Sequence, residues 1–235
     1  MSLIYDLNEL YRSGLDVLQA AQRDWSPYLV HFTSGDDMSM VRSLLKSKLI
    51  DVHNIHDALV DADRSSFETF KKIVSSKKIE SRTKIRCKKR LRHCVSLSEC
   101  SFPGVISHSE RYGRFGFMFD KYDIYKNGGR PCQYVDKDIC REIGFISRES
   151  RAIGRMNGFA NTYKPAPPKE VAIIDKPQDY TADREWRVMG DVDLGILKGV
   201  MCPYGYWEEV FDFVKNALGR GVPVYPLDVL YRWGV

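Results

Sequence analysis

The chain has 235 residues and a mass of 27.1 kDa, with 43% hydrophobic residues, 29% charged residues and a net charge of +5. Such a length carries a core without metal or disulfide staples, and the balance of apolar and charged residues excludes general disorder. No apolar run approaches the roughly 18–20 residues of a membrane span.

The N-terminal stretch MSLIYDLNELYRSGLDVLQAAQ places Leu3, Leu7, Leu10, Tyr11, Leu15, Leu18 and Ala21 near a 3.6-residue period, which predicts an amphipathic helix over 3–22. It lacks the basic head and apolar centre of a signal peptide, so a soluble cytoplasmic chain is expected. Trp25-Ser26-Pro27 breaks the helix, and Tyr28 to Thr33 reads as a short strand. Ser34-Gly35-Asp36-Asp37 forms a turn and cap before a second helix, Met38 to Leu49.

Residues 51–92 are polar, lack a strong strand signal, and are expected to form a helical insert. Between Lys77 and Arg92 nine basic residues stand against Glu80 alone, so the rest of the chain is slightly acidic. Such a segment either contacts phosphates by counterion release or is simply a solvated lysine-rich surface. Its candidate nucleic-acid contacts are Arg82, Lys84, Arg86, Lys88, Lys89 and Arg90.

From residue 93 the strand signals strengthen. Cys94 to Ser98 alternates as a half-buried strand, Gly116 to Phe119 reads as another, and Asn127-Gly128-Gly129 is a turn ahead of a strand from Pro131 to Val135. Residues 136–157 read as helical and Tyr163 to Pro168 as a stiff loop. Glu185 to Met189 and Leu197 to Met201 are strand candidates joined through a Gly-Asp turn. Tyr206 to Leu218 is a helix closed by Gly219, and Val222 to Tyr225 a last strand. Short separated strands preceded by helices suggest one α+β domain over 1–235, interrupted by the insert at about 51–92.

Several chemistries lack their residues. No phosphate-binding G-x-x-x-x-G-K-[ST] loop, G-x-S-x-G elbow or H-E-x-x-H pair occurs. The six cysteines are scattered with no C-x-x-C, and no metal site is expected. Three segments remain. On a strand, His31 and Thr33 share one face, as do Ser96 and Ser98, and as do Glu185, Arg187 and Met189. Each taken singly is as readily explained by an ordinary structural role.

In chain order, however, YLVHFTS, CVSLSE with the following SERYGRFGFMF, and DREWRV resemble the ADP-ribosyltransferase superfamily. More narrowly they resemble the AbiGi-type abortive phage infection proteins of bacteria, which share the VHFT start, a serine strand before a YG-x-x-G segment, and the late REWRV. The resemblance runs from about residue 28 to the C-terminus and implies a split β-sheet core with N-terminal helices and a basic helical insert. It implies NAD as co-substrate and a catalytic set of Glu185, His31 and Ser96. His31 would also hold the adenosine-side ribose. Thr33 and Ser98 would line the same cleft, Arg111 would meet the pyrophosphate, and Tyr112 would stack on nicotinamide. Ser96, Ser98 and Tyr112 compete for the middle catalytic position. The position two before Glu185 is Asp183, not a second glutamate, which points away from protein arginine as acceptor. A strand carboxylate over a cleft contributes little packing, so Glu185→Ala is expected to keep the fold. The contrasting expectation is a catalytically inactive binding or antitoxin module that contacts nucleic acid or a partner toxin through residues 77–92.

Overall fold

The computed structural model describes residues 26–33, 52–87, 90–100, 102–136, 159–163 and 184–229. The expected helices over 3–22, 38–49 and 136–157, Asp183, Lys88, Lys89 and the proline loop beyond Tyr163 lie outside the described residues. In chain order the elements are β1 (Tyr28–Thr33), α1 (Val52–Ser76), β2 (Lys78–Ile79), β3 (Thr83–Cys87), β4 (Arg90–Ser98), α2 (Phe102–Tyr112), β5 (Phe115–Asp120) and α3 (Lys121–Lys126). They continue with β6 (Arg130–Pro131), β7 (Gln133–Asp136), β8 (Ala160–Tyr163), β9 (Glu185–Met189), β10 (Val192–Asp193), β11 (Leu197–Cys202), α4 (Trp207–Leu218) and β12 (Val224–Pro226). Among the described residues no helix is long and apolar enough to cross a membrane. The chain divides into two compact units.

The first unit comprises the described parts of Met1–Lys78, Cys100–Lys121 and Asp193–Val235. Its strands run β1, β5, β11, β12, antiparallel except for the parallel β11–β12 pair. The sequence FGFMFD of β5 is buried on both faces, and its period-two alternation sorts the side chains. Phe115 and Phe117 meet α1, whose Phe67 lies 5.1 Å from Phe115 and whose Phe70 lies 4.8 Å from Phe117, ring centre to ring centre. Ala62, Ser66, Phe67, Phe70 and Val74 recur at three- and four-residue spacing and form the buried stripe of α1. On the other side Met118 joins Val30, Phe32, Val105, Met201, Tyr225 and Leu227. Burying each of these large side chains stabilises the unit by about 1.5–3 kcal/mol.

Gly113 closes α2 and turns the chain into β5 with φ of 116°, and a Cβ there would collide with the carbonyl oxygen of Thr33. The next residue, Arg114, forks onto the buried carboxylate of Asp63 in α1.

The second unit comprises the described parts of Ile79–Glu99 and Tyr122–Val192. Strand β4 pairs antiparallel with β3 along its first half and with β9 along its second, and β9 pairs with β6. Strands β7 and β8 form a separate parallel pair.

Two expectations are corrected here. The basic segment is no helical insert: its residues fold as the paired strands β3 and β4, with Thr83 opposite Cys94 and Cys87 opposite Arg90. TKIRC and RLRHCVSLS alternate apolar with polar residues, and that period outweighs the charge density that suggested a lysine-rich helix. The preceding stretch does form a helix, α1, but one whose aromatic side chains build the core of the first unit.

Candidate active site

The second unit gathers the strongest cluster of polar side chains. In the β4–β9 register Ser96 stands opposite Arg187 and Ser98 opposite Glu185, so all four occupy one face of the sheet. Ser96 Oγ donates to Glu185 Oε1 at 2.7 Å. Arg187, two residues along the same strand, donates from Nε to Oε1 at 2.8 Å and from Nη2 to Oε2 at 3.0 Å. The side chain of Arg187 is 8% exposed and that of Glu185 is 16% exposed.

A charge pair this buried must be well hydrogen-bonded to exist, and the fork supplies that geometry. Burial alone would lower the Arg187 pKa, but the hydrogen bonds and negative charge of Glu185 outweigh it and hold the guanidinium above its usual value. Beside the pair sits Cys132. Burial pushes its thiol up to about 12, with the Glu185 charge adding to the rise, Arg187 opposing it, and a hydrogen bond to Glu185 and the Cys94 thiol adding further. A thiol so placed stays protonated and serves as a weak donor, not as a nucleophile.

The backbone of Glu185 is fixed as closely as its side chain. Its N–H donates to the Tyr134 hydroxyl at 3.2 Å, and its carbonyl accepts from the Cys132 N–H at 2.7 Å. The preceding residue, Arg184, adopts φ of 41°, a conformation that costs a bulky residue about 1–3 kcal/mol. It is held there by Glu99, which is 7% exposed. Glu99 Oε1 accepts from Arg184 Nη2 at 2.9 Å and Oε2 from the Trp186 indole at 3.2 Å, while the Glu99 N–H donates to the Arg184 carbonyl at 3.2 Å. Residues 184–187 therefore send alternate side chains to two different anchors. The result is a carboxylate fixed in direction, paired with Arg187 and partly open to solvent.

Of the expected site residues, the structure brings Glu185, Ser96 and Ser98 together. His31 and Thr33 belong to the first unit. His31 is half-buried on β1 opposite Phe117. Thr33 is 2% exposed, and its hydroxyl lies 3.3 Å from the Ser66 carbonyl and 3.1 Å from that of Phe115. That is a tie between α1 and β5, in place of the expected cleft-lining role. Tyr112 is partly buried and packs against the apolar cluster of the first unit, its ring 5.6 Å from His108. Arg111 lies in the last turn of α2, and its side chain lies outside the described residues.

Arg82 is exposed and pairs with Glu80 at 2.9 Å; Lys84, Arg86 and Arg90 lie on β3 and β4, their side chains outside the described set. Among the described residues no group of His, Cys, Asp and Glu could hold a metal ion. Arg187, Glu99, Cys132 and Tyr134 were not among the expected site residues. Only the period-two spacing of Glu185 and Arg187 signalled one of them.

No family model and no curated protein matches the sequence. Two solved structures align with 86% of this chain and 96% of their own: Thermus sp. 2.9 DarT in complex with NAD+, 11% identical with a TM-score of 0.40, and Thermus sp. 2.9 DarT in complex with carba-NAD+, 10% identical with a TM-score of 0.38. Both likenesses fall below the level at which two folds are equated, and what the chain does is judged from its own residues.

Proposed function

We propose that the chain is an ADP-ribosyltransferase-like enzyme of bacterial phage defence that uses NAD as co-substrate, with Glu185 as its central catalytic residue. The observation that supports this reading is the held carboxylate: Glu185 is fixed by Ser96 and Arg187, and its main chain by Tyr134 and Cys132. Cleavage of the bond between nicotinamide and ribose leaves positive charge on the ribose C1′, as in glycoside hydrolysis. A carboxylate that already faces the sugar stabilises that charge without reorganising, which is where electrostatic catalysis gains most. Ser96 fixes the carboxylate direction through its hydroxyl. Ser98, opposite Glu185, lines the same sheet face. The ribose-holding role of His31 and the pyrophosphate role of Arg111 belong to the same reading, and each is judged by the NAD affinity of its alanine variant.

A second reading, a binding or antitoxin module, has one observation in its favour. The basic segment folds as a paired two-stranded ribbon, a shape that several nucleic-acid readers use. Calorimetry with NAD, RNA and DNA separates the readings. The enzyme binds NAD and releases nicotinamide. The module binds nucleic acid with steep salt dependence and leaves NAD intact.

A further inference from the structure

We propose that Arg187 is a positioning residue for this chemistry, acting through Glu185 by fixing the plane of its carboxylate; the proposal rests on the NAD-cleaving reading above. The two residues are neighbours on one face of β9, so the guanidinium reaches both carboxylate oxygens from within the same strand. A single donor such as Ser96 leaves a carboxylate free to swing about its terminal bond. A fork holding Oε1 and Oε2 together removes that rotation.

The arrangement is more than a fold-stabilising ion pair requires. Buried pairs contribute little net stability compared with apolar residues of similar volume, and this one occupies a sheet face where such residues would pack. Arg187 is itself held in a fixed surround. Strand β4 places Ser96 opposite it, β6 places Arg130 opposite it on the other edge, and the Cys94 and Cys132 thiols add their fields. Arg130 is turned to the carbonyls of Tyr125 at 2.8 Å and Gly129 at 2.6 Å. Arg187 touches neither the sugar nor the scissile bond in this account; it sets where the second oxygen of Glu185 points.

The test compares nicotinamide release from NAD by the full chain in wild type, Glu185→Gln, Arg187→Lys and Arg187→Gln, each confirmed folded by circular dichroism at the assay temperature. Arg187→Lys keeps the charge and loses the fork. Arg187→Gln loses both and remains a hydrogen-bond donor, so it still satisfies part of the carboxylate. The expected result is a fall in kcat of about tenfold for lysine and about a hundredfold for glutamine, with KM for NAD within about twofold of wild type. A merely structural arginine would not lower kcat while leaving KM in place. Wild-type kcat in both Arg187 variants overturns the proposal, provided that wild type turns over and Glu185→Gln does not. A wild type that leaves NAD intact overturns the NAD-cleaving reading itself, and this inference with it.

Discussion

Glu99 and Trp186 are joined by a hydrogen bond of 3.2 Å between the indole N–H and a carboxylate buried to 7% exposure, and the same carboxylate takes the Arg184 guanidinium at 2.9 Å. One acidic side chain at the end of β4 thus fixes the residues on either side of Glu185. The Glu185 carboxylate owes its direction to this anchor on one face of β9 and to Ser96 and Arg187 on the other.

Glu99→Ala should therefore destabilise the second unit, because it removes the carboxylate that accepts from the Trp186 indole and the Arg184 guanidinium. A loss of about 1–3 kcal/mol is expected by denaturant titration, from the hydrogen bonds that the Trp186 indole and the Arg184 guanidinium lose, with relief of the Arg184 strain offsetting part of it. An unchanged midpoint would show that the anchor is dispensable.

The two thiols raised by burial make stability fall with alkali. Cys132 and Cys202 are each pushed up to about 12 from an ordinary value of 9.0, Cys202 by burial first and then by Asp228. The unfolded chain ionises near 9 while the folded chain keeps its protons, so their stabilising contribution is full below pH 9 and is lost as pH rises from about 9 towards 12. Unfolding free energy measured across that window should decline, and Cys132→Ala should make the decline shallower. A flat profile in wild type would contradict the burial of these thiols.

Gly113→Ala should cost about 2 kcal/mol or more by thermal or chemical denaturation. The residue needs a positive φ, and a Cβ there meets the carbonyl oxygen of Thr33. A variant as stable as wild type would mean that the α2–β5 turn takes another path.

Much of this was legible in the sequence. The bounds of β1 and β9 match the strands expected there, and α4 ends at Gly219 with φ of 67°, as its glycine signal required. Two elements were obscured by composition. β3 and the start of β4 lay under a density of lysine and arginine, and α2 was hidden by Pro103 and Gly104 near its start, although proline is tolerated in a first helical turn.

The site divides in the same way. That Glu185 and Arg187 share a face can be read from their spacing. That Ser96 reaches across 89 positions to Glu185 depends on strand pairing, which local pattern does not specify. The buried partnership with Arg187 also corrects the expectation that Glu185→Ala leaves the fold untouched. Truncation would leave a guanidinium of 8% exposure without its anion, at a cost of up to about 3–5 kcal/mol. Glu185→Gln keeps an acceptor for Arg187 and is the cleaner probe of chemistry.

The most direct measurement is the rate of nicotinamide release from NAD by wild type and by Glu185→Gln at equal folded concentration. The expected result is turnover by wild type and a decrease of about 10²–10³ in the variant, the scale of losing one preorganised electrostatic stabiliser. Equal rates in the two proteins, or no release by wild type, would contradict the assignment of Glu185 as the residue that meets the ribose cation.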